Sequence, residues 1–383
     1  GFAPLASSVL LWMLYLSLVS VGGVFMGYQW DNLLLETGLL AVFIAPWGLR
    51  PRGVFVAWLP RLALRFLLFR LMLASGLVKL LSGDPAWRSL TALTFHYETQ
   101  PLPTWIGWYF EASPLFFHKL SAIVMFVVEI LCPFFIFGPR KARLLAFSAF
   151  LFLQALIALT GNYGFFNLLA IVLCLVLLDD TLLPRWLRGE AAPPRGPWPQ
   201  RLRSAAAGVT MLVSLVPFLS GLRVPLPSAL FALYAPFEPF RSTNAYGLFA
   251  VMTRDRPEIV VEGSLDGTTW VPYAFRYKPG DLHRPPPFVA PHQPRLDWQM
   301  WFAALGNPED SPWFSRFLLR LLEASPPVLG LLERDPFDGR PPRYIRAQVY
   351  RYHFARMEIR GREGVWWTRE FVGQFTPVFE QEP

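Results

Sequence analysis

The sequence predicts a multi-pass α-helical membrane bundle of about seven spans, followed by an extracytoplasmic all-β domain of the sandwich or jelly-roll kind. Three observations carry that prediction. Hydrophobic residues make up 54% of the 383 positions and charged residues only 16%, far from the usage of a soluble domain. Up to about position 222 the apolar residues gather in windows near the ~20 residues that a bilayer core requires. Beyond about 242 the texture changes to short alternating runs separated by turn signals. Collagen-like and disordered readings fail, because the 37 Pro and 27 Gly follow no period and 34 Phe and 15 Trp are too many. Cys132 and Cys174 both lie inside apolar runs, which removes a disulfide framework and any cysteine-based zinc site.

Residues 1-182 form the N-terminal helical region, with spans expected near 4-26, 28-48, 62-82, 115-137, 141-160 and 163-180. The chain enters apolar sequence directly after Gly1 with no charged leader or cleavage site, and so reads as a fragment or a processed chain. Loop charges set the orientation. Arg50, Arg52 and Arg61 follow the second span, Arg140, Lys141 and Arg143 the fourth, and Arg185, Arg188, Arg195, Arg201 and Arg203 the sixth, so these three loops are expected in the cytoplasm. Alternate loops agree: 84-114 carries Asp84, Glu98 and Glu111 against Arg88 and, just beyond it, Lys119, and the turn near 160-163 carries no charge. Formal charge is +8, and the 35 basic residues are arginine except for Lys79, Lys119, Lys141 and Lys278. Arginines bordering apolar runs point to membrane topology and away from nucleic acid.

The Pro- and Arg-rich stretch 183-203 reads as a cytoplasmic linker, and 204-241 as a last span near 204-222 with an interfacial segment. Residues 242-383 then form the β domain. Runs such as Glu258-Ile-Val-Val-Glu262, Trp270-Val-Pro-Tyr-Ala-Phe-Arg-Tyr277, Tyr344 to Phe354 and Gly364 to Phe371 read as strands, with Asp266-Gly267 turning between two of them. A short helix is expected at 312-323. Topology places this domain outside the cytoplasm, on the side of the 84-114 loop.

Several polar residues stand out against this background. Lys79, ~27 Å along the third span from Arg61, is either a desolvated base or a lysine snorkelling to the outer headgroups. Asp31 and Glu36 in the second span need partners, and Arg65, Arg70 or Lys79 are the charged choices. The outer loop gathers His96, Tyr97, Glu98 and Gln100 with Trp87 and Trp105, a mixture suited to a site lid or an interfacial belt. His96 and Glu98 are two apart, and no metal site is expected. Gly161-Asn162-Tyr163-Gly164-Phe165-Phe166-Asn167 reads as a tight turn from which Tyr163 and Asn167 could face a cavity between helices. In the β domain, the stretch from Arg284 to Ala303, with Phe288, His292, Trp298 and Trp301, reads as extended. Exposed, it makes a protein-binding strip; packed down, it is an ordered loop.

The runs Trp30-Asp31-Asn32 through Glu36-Thr37-Gly38, Ser75-Gly76-Leu77-Val78-Lys79 through Trp87, Phe95-His96-Tyr97-Glu98-Thr99-Gln100 through Trp105, and Gly161 through Asn167 resemble those of the lipase maturation factors. So do Phe275 through Gly280, Val289 through Trp301 and Pro342 through Ala347, and the resemblance runs from about residue 10 to the C-terminus. It implies a membrane protein of the endoplasmic reticulum in animals that helps secreted dimeric lipases fold and assemble, with a lumenal C-terminal domain implicated in client binding. The family usually begins with further transmembrane sequence. The arginine-to-lysine ratio suggests a GC-rich source, and in a bacterium the inner membrane and a periplasmic domain are expected instead. A fainter resemblance, in Gly76 to Leu80 followed by Trp87, is to the vitamin K-dependent carboxylase and its relatives. It implies Lys79 as a base on a reduced quinone or similar lipid, although Val78 stands where that family has a second lysine.

Two functions from different classes follow. In the first, a chaperone-like factor without cofactor, Phe288, His292, Trp298 and Trp301 contact a secreted lipase-type client while the helices contact membrane lipid. In the second, a membrane enzyme, Lys79 is the base and His96 or Glu98 assists, on a quinol-like lipid held in a polar site with Asp31, Glu36, Trp87, Tyr97, Gln100, Tyr163 and Asn167. A membrane-tethered carbohydrate-binding jelly roll is a third.

Overall fold

A computed structural model describes residues 2–51, 53–182, 188, 190–191 and 197–381. The chain divides into two compact units. The first comprises Gly1–Thr91, Lys119–Leu156 and Phe165–Met252; the second comprises Ala92–His118, Ile157–Gly164 and Thr253–Pro383.

The first unit is helical. Among the described residues four helices are long and apolar enough to cross a membrane: Pro4–Met26, Leu115–Phe137, Arg140–Thr160 and Gln200–Gly221. In Pro4–Gly22 only Val19 is buried, although almost every residue is apolar. A helix apolar all round and bare on nearly all sides is stable in hydrocarbon, not in water. Trp58–Leu81 is as long as these, yet Arg61, Arg65, Arg70 and Lys79 interrupt it. Gln29–Ile44 and the apolar Phe166–Leu177 are shorter. All seven predicted spans therefore fall on helix, but among the described residues four of these helices are long and apolar enough to cross a membrane.

Most of the 183-203 linker lies outside the described residues. Its last part is not a linker: Pro197–Val213 is one continuous helix, so the segment placed at 204 begins about two turns earlier. A two-residue parallel pairing, Gly53–Val54 with Glu190–Ala191, joins the loops after the second and sixth predicted spans. The segment after Gly221 holds the short helix Ser228–Tyr234, and Leu230, Phe231, Leu233, Phe237 and Phe240 along it are exposed.

In the second unit the described residues form one four-stranded antiparallel sheet, in the order Val271–Pro272, Arg256–Ser264, Tyr344–Phe354, Trp367–Glu380. The sandwich expectation is corrected here. Helices Arg295–Ala304 and Pro312–Leu322 belong to this core in place of a second sheet, burying Met300, Phe314, Phe317, Leu318 and Leu321 with Ile259, Val261, Ile345 and Ala347 of the strands. Alternation in the strands gave the sheet, but pairing is irregular between Ile345 and Tyr350, which twists the long final hairpin. The Asp266-Gly267 turn is present: Gly267 has φ +76°, and the Asp266 carboxylate accepts the N–H groups of Thr268 and Thr269 at 2.8 and 2.7 Å.

Candidate functional site

The buried carboxylates Asp31 and Glu36 of the first unit are the natural starting point, because a buried charge must be met locally. Glu36 is buried and pairs with Arg70, one of the three partners expected. Tyr246 donates its hydroxyl to the same carboxylate at 2.6 Å, and Asn244 donates its main-chain and side-chain N–H groups at 3.2 Å each. Arg70 also donates to the Asn244 carbonyl at 3.0 Å. Asp31 instead accepts the Tyr15 hydroxyl at 2.5 Å and the Tyr28 N–H at 3.3 Å, closing the start of its own helix.

Lys79 does not reach for headgroups. It is 6% exposed, and its ammonium donates to Glu129 Oε2 at 2.7 Å and to the Ser75 carbonyl at 2.9 Å, with the Trp87 ring 5.6 Å away. The snorkelling reading is corrected by this pairing. Its geometry comes from two local features. Gly76, one turn before Lys79, lets the neighbouring helix approach so closely that a Cβ there would lie 2.6 Å from Ile130 and 3.0 Å from Glu129. Glu129 sits in a π-helical turn, Val127–Leu131, where Pro133 cannot donate to the carbonyl four residues back. Trp87 donates its indole N–H to the Phe249 carbonyl at 2.9 Å, and Asn167 donates to Gln154 at 2.8 Å. Among the contacts described, Asp31 is met by Tyr15, Glu36 by Arg70 and Tyr246, Lys79 by Glu129, and Asn167 by Gln154.

The remaining expected polar residues belong to the second unit. Tyr163 donates its hydroxyl to Gln100 at 2.8 Å and meets His96 Nε2 at 3.2 Å, while Gln100 donates to the Thr160 carbonyl at 2.7 Å. Tyr97 is buried beside them, and burial pushes its hydroxyl up to about 12. Glu98 turns elsewhere: it meets His353 Nδ1 at 3.0 Å and accepts the Phe354 N–H at 2.8 Å. Asn162, read only as a turn residue, is a buried connector. Its amide donates to the Leu102 and Pro287 carbonyls at 3.1 and 2.9 Å, and its oxygen accepts the Val289 and Ala290 N–H groups at 2.7 and 3.0 Å. Fully buried Arg256 holds the carbonyls of Glu98, Gln100 and Pro101, and with Lys278 it neutralises Glu258. No group of three or more His, Cys, Asp or Glu among the described residues is placed to hold a metal.

The expected client strip changes character. Residues 295–304 are helical rather than extended, with Trp298 and Trp301 buried, and Trp301 donates to the Thr99 carbonyl at 2.9 Å. Both tryptophans are core residues. Phe288 and His292 remain exposed. Phe288 packs edge-on against Trp105 at 5.9 Å, and Trp105 meets Tyr109 at 6.2 Å, so three aromatic rings, each more than 40% exposed, make a continuous ridge. Glu129, Tyr246, His353 and Tyr109 had not been singled out. Glu129 had a signal, being the one charge in its span after Lys119 and so the natural partner for a membrane lysine.

Two family models match, one described as the lipase maturation factor transmembrane domain over residues 2–185 and one as the lipase maturation factor C-terminal domain over 242–377. Lipase maturation factor 2 of Homo sapiens is 39% identical to this chain over 96% of it and 68% of the relative. Lipase maturation factor 1 of Bos taurus and of Homo sapiens are each 35% identical over 100% of the chain, covering 73% and 72% of those proteins. No solved structure matches. Matched along both its membrane region and its C-terminal domain, this integral membrane chain belongs to the lipase maturation factor family.

Proposed function

We propose that the chain is a membrane-embedded maturation factor that assists the folding and assembly of secreted lipases or related hydrolases, with the helices as scaffold and the second unit as the client-binding part. The observation that carries this reading is the state of the intramembrane charges. Lys79 is engaged by Glu129, Glu36 by Arg70 and Tyr246, and Asp31 by Tyr15, which suits a fixed scaffold. A base acting on a quinol-like lipid draws no support from a lysine so held. In this reading the helices at all seven predicted positions cross the bilayer. Trp58–Leu81 can join them because its charges are met internally: Arg70 and Lys79 are paired, and Arg65 donates to the Val176 carbonyl at 3.4 Å. The arginine-rich loops then face the cytoplasm and the C-terminal domain faces the lumen of the endoplasmic reticulum, or the periplasm in a bacterium.

Client contact falls to the Trp105, Tyr109 and Phe288 ridge, since large exposed aromatic rings supply much of the energy in protein interfaces. Co-purification of a secreted lipase with the tagged chain tests this. Replacing Trp105 and Phe288 together by Ala should lower lipase recovery about tenfold without lowering the melting temperature. Unchanged recovery would remove the ridge from the account.

A further inference from the structure

Between the end of the Gln200–Gly221 helix and Ser242, the chain of the first unit leaves the bundle and returns to it. From Arg223 to Phe240 every residue is exposed except half-buried Leu226 and Tyr234, although residues 224–237 carry no charge. Within the short helix Ser228–Tyr234, five successive apolar residues from Ala229 to Leu233 are exposed, and at about 100° per residue they cover every side of it. A helix lying along a membrane surface turns a polar face to water, and this one has none. Hydrocarbon also offers no acceptor, so main-chain donors placed in it must be closed within the chain. Here Pro225, Pro227, Pro236 and Pro239 have no N–H, and from Ala235 to Arg241 every N–H that exists bonds to a carbonyl three or four residues back, at 2.8–3.3 Å. Those of Arg223, Val224 and Leu230 close on carbonyls three to five residues back, at 2.9–3.0 Å. The Tyr234 hydroxyl is taken up by the Thr243 carbonyl at 3.1 Å.

The return point lies inside a span and not at its end. Phe240 stacks on Trp12 with ring centres 6.2 Å apart, and the Trp12 indole donates to Ser242 at 3.1 Å. Trp12 stands ~12 Å from the Pro4 end of its apolar helix and ~15 Å from the Gly22 end. Charges occur only at the two ends of the hairpin, Arg223 at one and Glu238 with Arg241 at the other. Arg223 and Arg241 have left-handed φ of +61° and +47°, the turns out of the bundle and back into it, and their long side chains can run along apolar surface toward phosphates. We propose that residues 223–241 are a hairpin embedded in the acyl-chain region of the bilayer, covered by lipid. The segment continues directly from a helix long and apolar enough to cross a membrane, so the lipid that meets that helix is next to it. A protein partner would tolerate open N–H groups and add a polar rim, whereas closed donors and an uncharged middle match hydrocarbon. Asn244 and Tyr246, which hold Glu36, follow the hairpin directly, so its depth sets theirs.

The test uses the full chain in phosphatidylcholine nanodiscs, with Leu233→Cys carrying the fluorophore NBD. Cys132 and Cys174 are buried, and the wild-type chain put through the same labelling is the blank. Leu265→Cys, at an exposed position of the second unit, is the control in water. The label at 233 should emit to the blue of the label at 265 and resist iodide. It should also be quenched more by lipids with a nitroxide in the acyl chain than by lipids with a nitroxide on the headgroup. Phe237→Cys should rank the two lipids in the same order, which keeps the test available if one variant does not fold. Stronger quenching from the headgroup would make the segment a surface-lying one, and quenching by iodide would put it in water. Blue emission that neither lipid quenches would mean a protein cover, a second copy of the chain included. Each of these three results overturns the proposal.

Discussion

Glu36 sits among Arg70, Asn244 and Tyr246, and a buried carboxylate with those donors is stable only while the positive partner is present. Arg70→Met should cost about 3–5 kcal/mol by leaving the charge uncompensated, read as a lowered melting temperature in detergent. Lys79 and Glu129 allow a sharper test. Lys79→Met alone should destabilise by a similar ~3–5 kcal/mol, whereas Lys79→Met with Glu129→Leu should recover most of the loss, since an apolar pair of similar volume replaces an ion pair at little cost. The double variant should also keep its maturation activity; a stable but inactive double variant would give Lys79 a chemical role. Outside the membrane, burial pushes the Glu111 carboxyl up from 4.5 to about 7, the Glu98 charge adds to this, and His353 opposes it. Folded Glu111 thus holds its proton more tightly than unfolded Glu111. Its contribution is most favourable below about pH 4.5 and is lost as pH rises to about 7, so Glu111→Gln should flatten that part of the stability profile and raise stability at neutral pH. The sequence showed that Asp31 and Glu36 needed partners and named Arg70 among three candidates. It could not show Tyr246 or Asn244, because those contacts join residues about 200 positions apart through the fold.

Helix and strand positions followed the two hydrophobic periods closely, and the exceptions have local causes. Arg295–Ala304 was hidden by the prolines before it, which read as an extended strip, yet Pro294 directly before an apolar run is also a helix-start signal. Its burial of Trp298 and Trp301 predicts that alanine at either costs ~3–5 kcal/mol, a loss of folding and not a selective loss of client. Close approach between elements was legible at Gly76 only as a small residue in a span. A Cβ there meets Ile130 at 2.6 Å, so Gly76→Val should separate the helices that bring Lys79 to Glu129 and lower stability by about 1–3 kcal/mol. At Gly107 the obstacle is backbone, the Thr160 carbonyl oxygen at 2.7 Å, which cannot swing aside, and Gly107→Val should be at least as damaging in a thermal melt.

At the scale of the whole chain, the change of texture near 242 marked the start of a second kind of structure. Recruitment of 92–118 and 157–164 into the same compact unit as the sheet left no periodic signal, because it rests on single residues. Asn162 and Arg256 do that work by gathering carbonyls and N–H groups from distant segments, the contacts that hydropathy patterns do not encode. The consequence is a unit whose exposed aromatic ridge draws on both Trp105 and Phe288, far apart in sequence. On the function proposed above, this unit, in a chain whose other unit spans the membrane, matures secreted lipases. The most direct test of that function is the amount of active lipase secreted by cells lacking their own maturation factor, supplied with this chain, with the Trp105→Ala, Phe288→Ala variant at matched protein level, or with empty vector. The chain should restore secretion of active enzyme, and the variant should fall back toward the vector. Secretion no higher than with the vector, from a chain that is expressed and folded, would contradict it.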